Sequence, residues 1–552
     1  MPDAPAAPTS TRTAWWSCAV IVALCLAVGL QTIRSDNYFL GDDFGLIQHL
    51  HALPVDRFLT YFGSDWTEGI YGTVLDELRP FLAFSYWLDA RVFGPVHVSG
   101  YHATNVILHV LNALLVLAIA RSVAPQEPIY AVLAGSFFAL MPSHAEPIAW
   151  ISGRVDSIAS LFYLGAFLCF VRFRLAARRA SLFAAWLLFA CGVFAKQSVV
   201  TLPVLLVVFD LLWPVSTGAA PNRARSRIWP HIPFVVIAAL YVGLRDTLFG
   251  NGLREDMVTL AAMNDFIGRQ DRYFREMLPS PNTAPRLVRT LTEAVTILAV
   301  LVCAGWALAR RQVFRDTMRR VAFFGVAWYA ITIAPMVVTY VSARHLYITA
   351  AGVSIAMASL VLPAAAEEDR RRRIRAALAG MLIALYAVAA IWNVSKWVAS
   401  GLESRRFASA LARLPQSVPR GSVVLISVPE VYREGWFWSW AMPFAVQPPF
   451  TDEDLNQAFR IVERPPIYCC PPDQWWAARK GAITMLFDAA AAQPVTYVEF
   501  ERSGTPRIYQ RPVNGSLLKQ QIEAALGKPV DTMTTMTPED AMALSRVLFA
   551  PQ

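Results

Sequence analysis

Residues 102–120 read HATNVILHVLNALLVLAIA, nineteen consecutive positions that contain no Asp, Glu, Lys or Arg. Because a helix rises about 1.5 Å per residue, a stretch of this length spans most of the roughly 30 Å hydrocarbon core of a bilayer. Arg121 follows it directly, as is typical where a span meets the cytoplasmic side. The stretch therefore predicts a transmembrane helix.

The composition of the whole chain agrees with that prediction. Of its 552 residues, 56% are hydrophobic and 16% are charged, against about 25% charged in soluble proteins, and the mean hydropathy is +0.42. These values exclude a water-soluble enzyme. The seven cysteines are scattered and form no metal-binding spacing with histidine, so neither a disulfide framework nor a zinc finger is indicated.

Apolar stretches near spanning length recur along the first 393 residues. They cover 15–33, 102–120, 128–142, 157–171, 181–195, 198–213, 230–247, 288–309, 321–339, 346–363 and 376–392. The first has the length of an uncleaved signal anchor. We therefore expect an all-α polytopic membrane protein with about eleven transmembrane helices.

The distribution of basic residues predicts the topology of these helices. If the N-terminus is cytoplasmic, the predicted inner segments contain 19 of the 49 basic and 6 of the 40 acidic residues, and the remainder of the chain is slightly acidic. This asymmetry obeys the positive-inside rule. The net charge of +9 is therefore a topology signal, and no nucleic-acid partner is expected.

The same topology places most polar residues on the outer face. Its outer segments include 34–100, the turn at 143–156, the region of Lys196, the loop 248–287 and everything after 393. In the last of these, β-like runs at 423–426 and 495–500 alternate with helical patterns at 451–462 and 516–526. We expect a membrane domain over 1–393 and a small α/β exoplasmic domain over 394–552.

Two adjacent carboxylates follow the first predicted span. Asp42 and Asp43 lie in YFLGDDFG, residues 38–45, at the outer membrane surface. Such a pair can bind a metal ion, or one member can accept a proton while the other orients it. The alternative is that an aspartate here only caps a helix over 43–51.

A second ionisable cluster lies in the short turn between two apolar stretches. Its members are His144, Glu146, Arg154 and Asp156. Charges this close to the bilayer core usually face a cavity or one another. The structural alternative is an ion pair of Arg154 with Asp156. His102, at the start of another stretch, either faces the same cavity or forms an interhelical hydrogen bond.

Isolated cations occur at two further outer turns. Lys196 and Arg344 each stand beside apolar helices, and Arg79 belongs to the first outer loop. Long cationic side chains in such places often only extend towards lipid headgroups. The functional alternative is a clamp for a lipid phosphate, because Lys and Arg stabilise charge that develops on a leaving phosphate.

A run of aromatic residues, WFWSW at 436–440, stands out in the C-terminal region. Packing within that region is its default interpretation. The alternatives are contact with a sugar or with the bilayer surface.

These elements, in this order, resemble a known family, the GT-C glycosyltransferases that use polyprenyl-phosphate sugars. The similarity is greatest to the membrane half of the transmembrane, TPR-repeat-containing O-mannosyltransferases and their bacterial relatives. The matching elements are Asp42-Asp43, Arg79-Pro80-Phe81, Tyr101-His102 with Asn105 and His109, Met141–Glu146, Gly153–Asp156, Lys196-Gln197 and Ala343–Tyr347. The resemblance covers about residues 35–360.

The chain also departs from the family pattern at several positions. Gln197 and Ala343 replace acidic residues, so Lys196 and Arg344 are expected to lack their family partners. Met141 replaces a histidine and His345 a tyrosine, and no TPR repeats are recognisable in the tail. These departures leave the sugar and the acceptor open.

The resemblance implies an inverting hexosyltransferase, with mannose as a candidate sugar and a polyprenyl-phosphate donor. Asp42 or Asp43 would act as base, and Lys196, Arg344 and Arg79 would hold the phosphate. His144 and Glu146 would line the acceptor or sugar side, or hold a divalent cation with the aspartate pair. The acceptor would be a protein or a glycan.

The expected location is a bacterial inner membrane, with the site facing the periplasm. The alternatives are a lipid-linked sugar flippase or other transporter, a polysaccharide polymerase or ligase, and a relative without catalytic activity.

Overall fold

The computed structural model describes residues 11–214, 228–281, 283–309, 316–362, 369–433, 435–465, 472–487, 494–500 and 506–549. Each of the eleven predicted apolar stretches forms a helix. These helices are α1 (Thr11–Gly29), α5 (Val98–Val123), α6 (Pro128–Ala139), α8 (Arg154–Ala176), α9 (Arg179–Val193), α10 (Leu202–Leu212), α11 (Ile232–Phe249), α14 (Arg286–Ala309), α15 (Asp316–Ile333), α16 (Tyr347–Val361) and α17 (Asp369–Leu411).

Within the described ranges, eight helical segments are long and apolar enough to cross a membrane. Three more apolar segments are shorter, namely Pro128–Ala139, Arg179–Val193 and Gln197–Leu212. Large apolar side chains point outwards from the long helices, for example Leu240, Leu298 and Phe323, each more than 60% exposed. Such surfaces suit lipid rather than water. The helical membrane fold is confirmed, and eleven as the number of spans stays a prediction.

Shorter helices occupy the predicted outer segments. The first loop contains α2 (Asp42–Leu50), α3 (Arg57–Thr60) and α4 (Pro80–Phe93). The turn before α8 contains α7 (Ala145–Ala149), and the loop between α11 and α14 contains α12 (Leu260–Gly268) and α13 (Gln270–Met277).

The last membrane helix continues into the C-terminal region. Helix α17 runs without interruption from Asp369 to Leu411, so the expected boundary at 393 falls inside a helix. The division into two domains stays a prediction. The helices that follow are α18 (Leu414–Ser417), α19 (Met442–Ala445), α20 (Leu455–Ala458), α21 (Pro472–Phe487), α22 (Gly515–Leu526) and α23 (Pro538–Leu548).

The C-terminal region is built on a four-stranded sheet. Its strands are β1 (Val423–Ser427), β4 (Arg460–Glu463), β5 (Pro494–Phe500) and β6 (Pro506–Pro512), in the order β4-β1-β5-β6. Strand β1 pairs parallel with β4 and β5, with Val424 opposite Ile461 and Thr496, whereas β6 is antiparallel to β5. A separate antiparallel pair joins β2 (Val431–Tyr432) and β3 (Gly435–Trp436). The expected small α/β region is confirmed.

One element of that region differs from the prediction. A helix was expected over 451–462, but only α20, a single turn, forms there, and β4 follows. Asp454 caps the short turn through its side chain. The β-branched pair Ile461-Val462 then joins the parallel ladder beside β1, where such side chains pack well.

The C-terminal region shares a hydrophobic core with the membrane helices. Trp438 is fully buried, and its ring packs on Phe44 of α2 and Phe407 of α17 with centroid distances of 4.8 and 5.0 Å. The same core cluster includes Ile426 and Val498 of the sheet. The sheet is therefore anchored to one end of the membrane bundle, next to the start of α2.

Helices α15 and α16 approach closely at two glycines. A Cβ atom added to Gly352 would lie 2.6 Å from the Cβ of Trp328 and 2.7 Å from the carbonyl oxygen of Gly325. Small residues allow this kind of backbone approach between membrane helices. Gly352 is therefore expected to be required for the packing of these two helices.

Gly352→Ala should lower the midpoint of thermal unfolding of the detergent-solubilised protein, because overpacking costs about 1–3 kcal/mol. Gly380→Ala in α17 is the matched control, since nothing lies within 4 Å of an added Cβ there. That control should unfold at the wild-type temperature or slightly above it, because Ala favours helix over Gly by up to about 1 kcal/mol. Equal midpoints for the two variants would contradict the packing.

Candidate active site

The structure brings four separate segments together at the end of the bundle that was predicted to face outwards. The Trp150 indole donates to the carbonyl of Leu40 over 3.0 Å, which joins the turn before α8 to the segment before α2. Glu146 of α7 accepts from Ser342, which joins that turn to the segment before α16. Lys196, between α9 and α10, reaches Asp156 of α8. These contacts define the candidate active site.

Asp43 is buried within this arrangement and fully engaged. Its Oδ1 accepts from the backbone N–H of Ser152 over 2.9 Å and from the Ser152 hydroxyl over 2.6 Å, and its Oδ2 accepts from the N–H of Leu40 over 3.0 Å. Burial raises the pKa of Asp43 to about 7, although these hydrogen bonds oppose the rise. Asp43 therefore ties α2 to the turn that precedes α8.

Asp42 is only half-buried, and it makes fewer contacts. Its Oδ1 accepts from the indole N–H of Trp440 over 2.7 Å, and its Oδ2 has no hydrogen-bond partner in the described part of the chain. Burial raises the pKa of Asp42, whereas the Trp440 hydrogen bond and the charges of Arg344 and Arg79 lower it. The carboxylate thus has one oxygen available for a further ligand.

The expectation that these aspartates only cap a helix is wrong. Helix α2 begins at Asp42 itself, its N-cap is Gly41, and no side chain makes a capping hydrogen bond there.

A cavity of about 450 Å³ lies among the segments that carry Arg79, Lys196 and Arg344, and its walls are rich in charge. The charged side chains that line it are Glu77, Arg79, Lys196, Arg254, Asp265, Arg269 and Arg344. Cations therefore outnumber carboxylates on its walls. Three of the predicted phosphate-binding residues, Arg79, Lys196 and Arg344, lie in this one cavity.

The two cations expected to lack partners have acidic neighbours from other segments. Lys196 donates to Asp156 over 2.5 Å, and the Nε of Arg344 lies 3.7 Å from Glu146 and 4.0 Å from Asp156. Burial lowers the pKa of Lys196, and the charge of Asp156 opposes that change. Asp156 and Glu146 thus take the place of the acidic residues expected at positions 197 and 343. They reach Lys196 and Arg344 only because the chain folds.

Glu146 also fixes the backbone on which Arg344 stands. Its carboxylate accepts from the Ser342 hydroxyl over 2.6 and 2.7 Å and from the backbone N–H of Arg344 over 3.1 Å. The Arg344 guanidinium lies 4.9 Å from the ring centroid of Trp150 and donates to the Tyr340 hydroxyl. Glu146 is therefore placed to orient Arg344.

Arg79 stands just before α4 and pairs with Glu77 over 2.6 Å. Both side chains are about one-eighth exposed, and both line the cavity.

Arg154 lies away from the cavity, and its expected ion pair with Asp156 does not form. Its guanidinium is completely buried and pairs with Asp89 of α4 over 2.5 Å. It also donates to Asn105 and to the carbonyl of Tyr101, both over 2.9 Å. These contacts join α8 to α4 and α5, so we assign Arg154 to holding the three helices together.

The two histidines also lie in the protein interior. His144 is fully buried, its ring centroid is 4.1 Å from that of Tyr347, and burial lowers its pKa far below the usual range. His102 is buried and hydrogen-bonds Asn37 over 3.0 Å. Neither histidine lines the cavity, so we assign neither of them to substrate binding.

The sequence also raised the possibility that a divalent cation binds at this site. In the described residues, no group of three or more His, Cys, Asp or Glu side chains is placed to hold a metal ion.

The roles of two residues in this arrangement, Asp89 and Trp440, were not predicted from the sequence. Asp89 is the one acidic residue in α4, PFLAFSYWLDARVF, and an isolated carboxylate in such a helix predicts a buried partner. Trp440 belongs to the aromatic run at 436–440, whose default interpretation was packing. No sequence pattern linked it to Asp42, which lies 398 residues away.

The resemblance to O-mannosyltransferases is confirmed by comparison with characterised sequences. The chain is 32% identical over 137 residues to protein O-mannosyl-transferase Tmtc1 of Drosophila melanogaster, and 30% identical over 182 residues to Tmtc2 of the same organism. These matches cover 25% and 30% of this chain, but only 16% and 19% of the relatives. Human TMTC4 is 24% identical over 235 residues, 37% of this chain and 30% of that protein. No protein-family model matches the chain.

Solved structures of membrane glycosyltransferases show a weaker likeness. ArnT from Cupriavidus metallidurans, bound to undecaprenyl phosphate, is 12% identical with a TM-score of 0.44, over 90% of this chain and 94% of that one. The Archaeoglobus fulgidus oligosaccharyltransferase in its apo form is 13% identical with a TM-score of 0.46, over 76% of this chain and 63% of that one. At these values the likeness carries no conclusion about substrates.

The burial of Arg154 can be tested by thermal unfolding. Arg154→Met should destabilise the protein by about 3–5 kcal/mol, because it leaves the Asp89 carboxylate buried and unpaired. Adding Asp89→Asn should restore part of that loss, since no uncompensated charge then remains. If Arg154→Met instead unfolds at the wild-type temperature and only weakens substrate binding, the structural assignment is contradicted.

Proposed function

We propose that this chain is an integral membrane glycosyltransferase that moves a hexose from a polyprenyl-phosphate donor to an acceptor hydroxyl. One observation carries the proposal. Asp42 has a carboxylate oxygen available, and it is close enough to Arg344 and Arg79, two cations that line the cavity with Lys196, for their charges to lower its pKa. Transfer from a sugar phosphate needs these two elements, a base for the acceptor and positive charge for the leaving group.

The donor phosphate is assigned to the cationic cavity. Lys196 pairs with Asp156, and Arg344 pairs with Glu146. The two cations line the cavity, whereas the two carboxylates do not. Because the side chains of both cations are largely buried, their attraction for a phosphate is stronger than that of fully exposed cations. Pre-positioned cations also need little reorganisation as charge grows on the leaving group.

Asp42 is assigned as the base, and Asp43 as its structural neighbour. Both oxygens of Asp43 already accept hydrogen bonds, three in all, from Ser152 and Leu40. Oδ2 of Asp42 has no such partner among the described residues and can accept the acceptor proton. Its raised pKa also makes it a stronger base than an ordinary aspartate.

The transfer is then a single displacement. As Asp42 takes the hydroxyl proton, the acceptor oxygen attacks the anomeric carbon, and the bond from that carbon to the phosphate oxygen breaks with its electron pair. The products are the glycosylated acceptor with inverted configuration and polyprenyl phosphate. Lys196 and Arg344, with Arg79 nearby, stabilise the charge on that phosphate, so the leaving group needs no separate acid.

Mannose is the proposed sugar, because the sequence relatives are named O-mannosyl-transferases. A hydroxyl on a protein or glycan is the proposed acceptor. We place the enzyme in a bacterial inner membrane with the cavity facing the periplasm, because the distribution of basic residues along the sequence predicts that the alternate loops face the cytoplasm.

Separate substitution of the two aspartates tests the assignment of the base. Asp42→Asn should reduce transfer at least about 100-fold, because a general base contributes roughly 10²–10⁴. Its thermal stability should change little, since the amide oxygen can still accept from Trp440. Asp43→Asn should mainly lower the unfolding temperature, because an amide cannot accept all three hydrogen bonds.

The measurement is the transfer of radiolabel from polyprenyl-phosphate mannose to endogenous acceptors, in membranes of a deletion strain that carries each variant. Wild-type transfer should fall as pH drops through the pKa of Asp42, because only the ionised carboxylate accepts the proton. Full transfer by Asp42→Asn would overturn the proposed base.

A further inference from the structure

The C-terminal region contributes directly to the surroundings of the candidate base. The backbone N–H of Gly41 donates to the carbonyl of Phe437 over 2.7 Å, so the segment that includes β3 lies against the start of α2. Gly41 has a φ of 51°, and a Cβ there would lie 3.2 Å from the Cβ of Trp436. A glycine suits this left-handed conformation and the close approach.

Within this contact, one side chain reaches the carboxylate. The indole N–H of Trp440 donates to Oδ1 of Asp42 over 2.7 Å, and the Trp440 side chain is largely buried. The Trp436 ring packs edge-on against it at a centroid distance of 5.3 Å. Since indole has a single donor and no acceptor, Trp440 binds one oxygen of Asp42 and leaves the other available.

The position of Trp440 is itself fixed by the C-terminal region. Two residues earlier, Trp438 is fully buried and donates its indole N–H to the Ser404 hydroxyl of α17 over 2.7 Å. The Trp438 ring packs between α2 and α17. The segment 436–440 is thus anchored to both α2 and α17 through Trp438, two residues before Trp440.

We infer that the C-terminal region completes the candidate active site, and that Trp440 is a positioning residue for the carboxylate of Asp42. This inference rests on the proposed function. The hydrogen bond holds the side chain so that Oδ2 points to the acceptor, and it favours the ionised form that accepts the proton. The C-terminal region is therefore part of the catalytic unit.

Several other groups influence the charge of Asp42. Asp43 adjoins it on α2, Glu77 and Arg79 come from the segment before α4, and Arg344 comes from the segment before α16. The Tyr71 hydroxyl donates to the backbone carbonyl of Asp42 over 3.2 Å. Trp440→Phe leaves all of these groups unchanged, so a shift in the titration of Asp42 reports the lost indole hydrogen bond.

The test compares Trp440→Phe with Trp438→Phe. Each substitution keeps an aromatic ring and removes one indole hydrogen bond of 2.7 Å from the same segment. Only the first removes a bond to Asp42. Trp440→Phe should raise the pKa of Asp42 by about one unit, because a hydrogen bond to a charged group is lost. Trp438→Phe should leave that pKa at its wild-type value.

Two readouts on the full chain in lipid nanodiscs are needed. The first is infrared titration, in which the carboxylate band of Asp42 is isolated by difference from Asp42→Asn. The second is the pH profile of mannose transfer from polyprenyl-phosphate mannose. For Trp440→Phe the acidic limb of kcat should move up by about one unit, kcat should recover at high pH, and the donor KM should stay at the wild-type value.

Equal effects of the two substitutions, in either readout, would overturn the inference and leave Trp440 with a packing role. The infrared titration does not depend on enzymatic activity. If wild-type protein transfers no sugar but only Trp440→Phe shifts the Asp42 band, the hydrogen-bond assignment stands and the proposed function fails.

Discussion

The rest of the candidate site depends on how the positive charges of Lys196 and Arg344 are held at one end of the membrane helices. The side chains of Lys196 and Arg344 are only 10% and 12% exposed, and each lies beside a carboxylate that is more deeply buried. Removing an ion from water costs several kcal/mol unless partners compensate. Asp156 and Glu146 provide that compensation. Because these acids come from α8 and α7, the cations stay in place only while the turn between those helices is folded.

The two carboxylates that accompany Lys196 and Arg344 lie outside the cavity wall. Asp156 and Glu146 approach Lys196 and Arg344 without lining the cavity themselves. A phosphate can therefore approach the open side of the cations while the acids keep their orientation. Asp43, through Ser152, ties α2 to the same turn, and the adjacent Asp42 is close enough to Arg79 and Arg344 for their charges to lower its pKa. The proposed base and the cations are thus coupled through one short segment, residues 142–156.

Much of the membrane fold was predictable because apolar length and basic loops are properties of single segments. All eleven apolar stretches form helices, and Arg79, Lys196 and Arg344, which were predicted to bind one phosphate, line one cavity. Pairings between distant segments were not predictable in this way. The Arg154 partner proved to be Asp89 rather than Asp156, and Asp42 gained a partner from the far end of the chain. Strand β4 was missed because its pairing with β1 outweighs a local helical pattern.

The most direct test of the central claim is to locate the phosphate of the donor lipid. Electron cryomicroscopy of the full chain in nanodiscs with polyprenyl monophosphate, the product of the proposed reaction, would provide that position. The account predicts density for the phosphate within about 3.2 Å of the Lys196 Nζ and of the Arg344 guanidinium, on the side open to Asp42. A phosphate bound elsewhere, with the pairs Lys196–Asp156 and Arg344–Glu146 facing an unoccupied cavity, would contradict it.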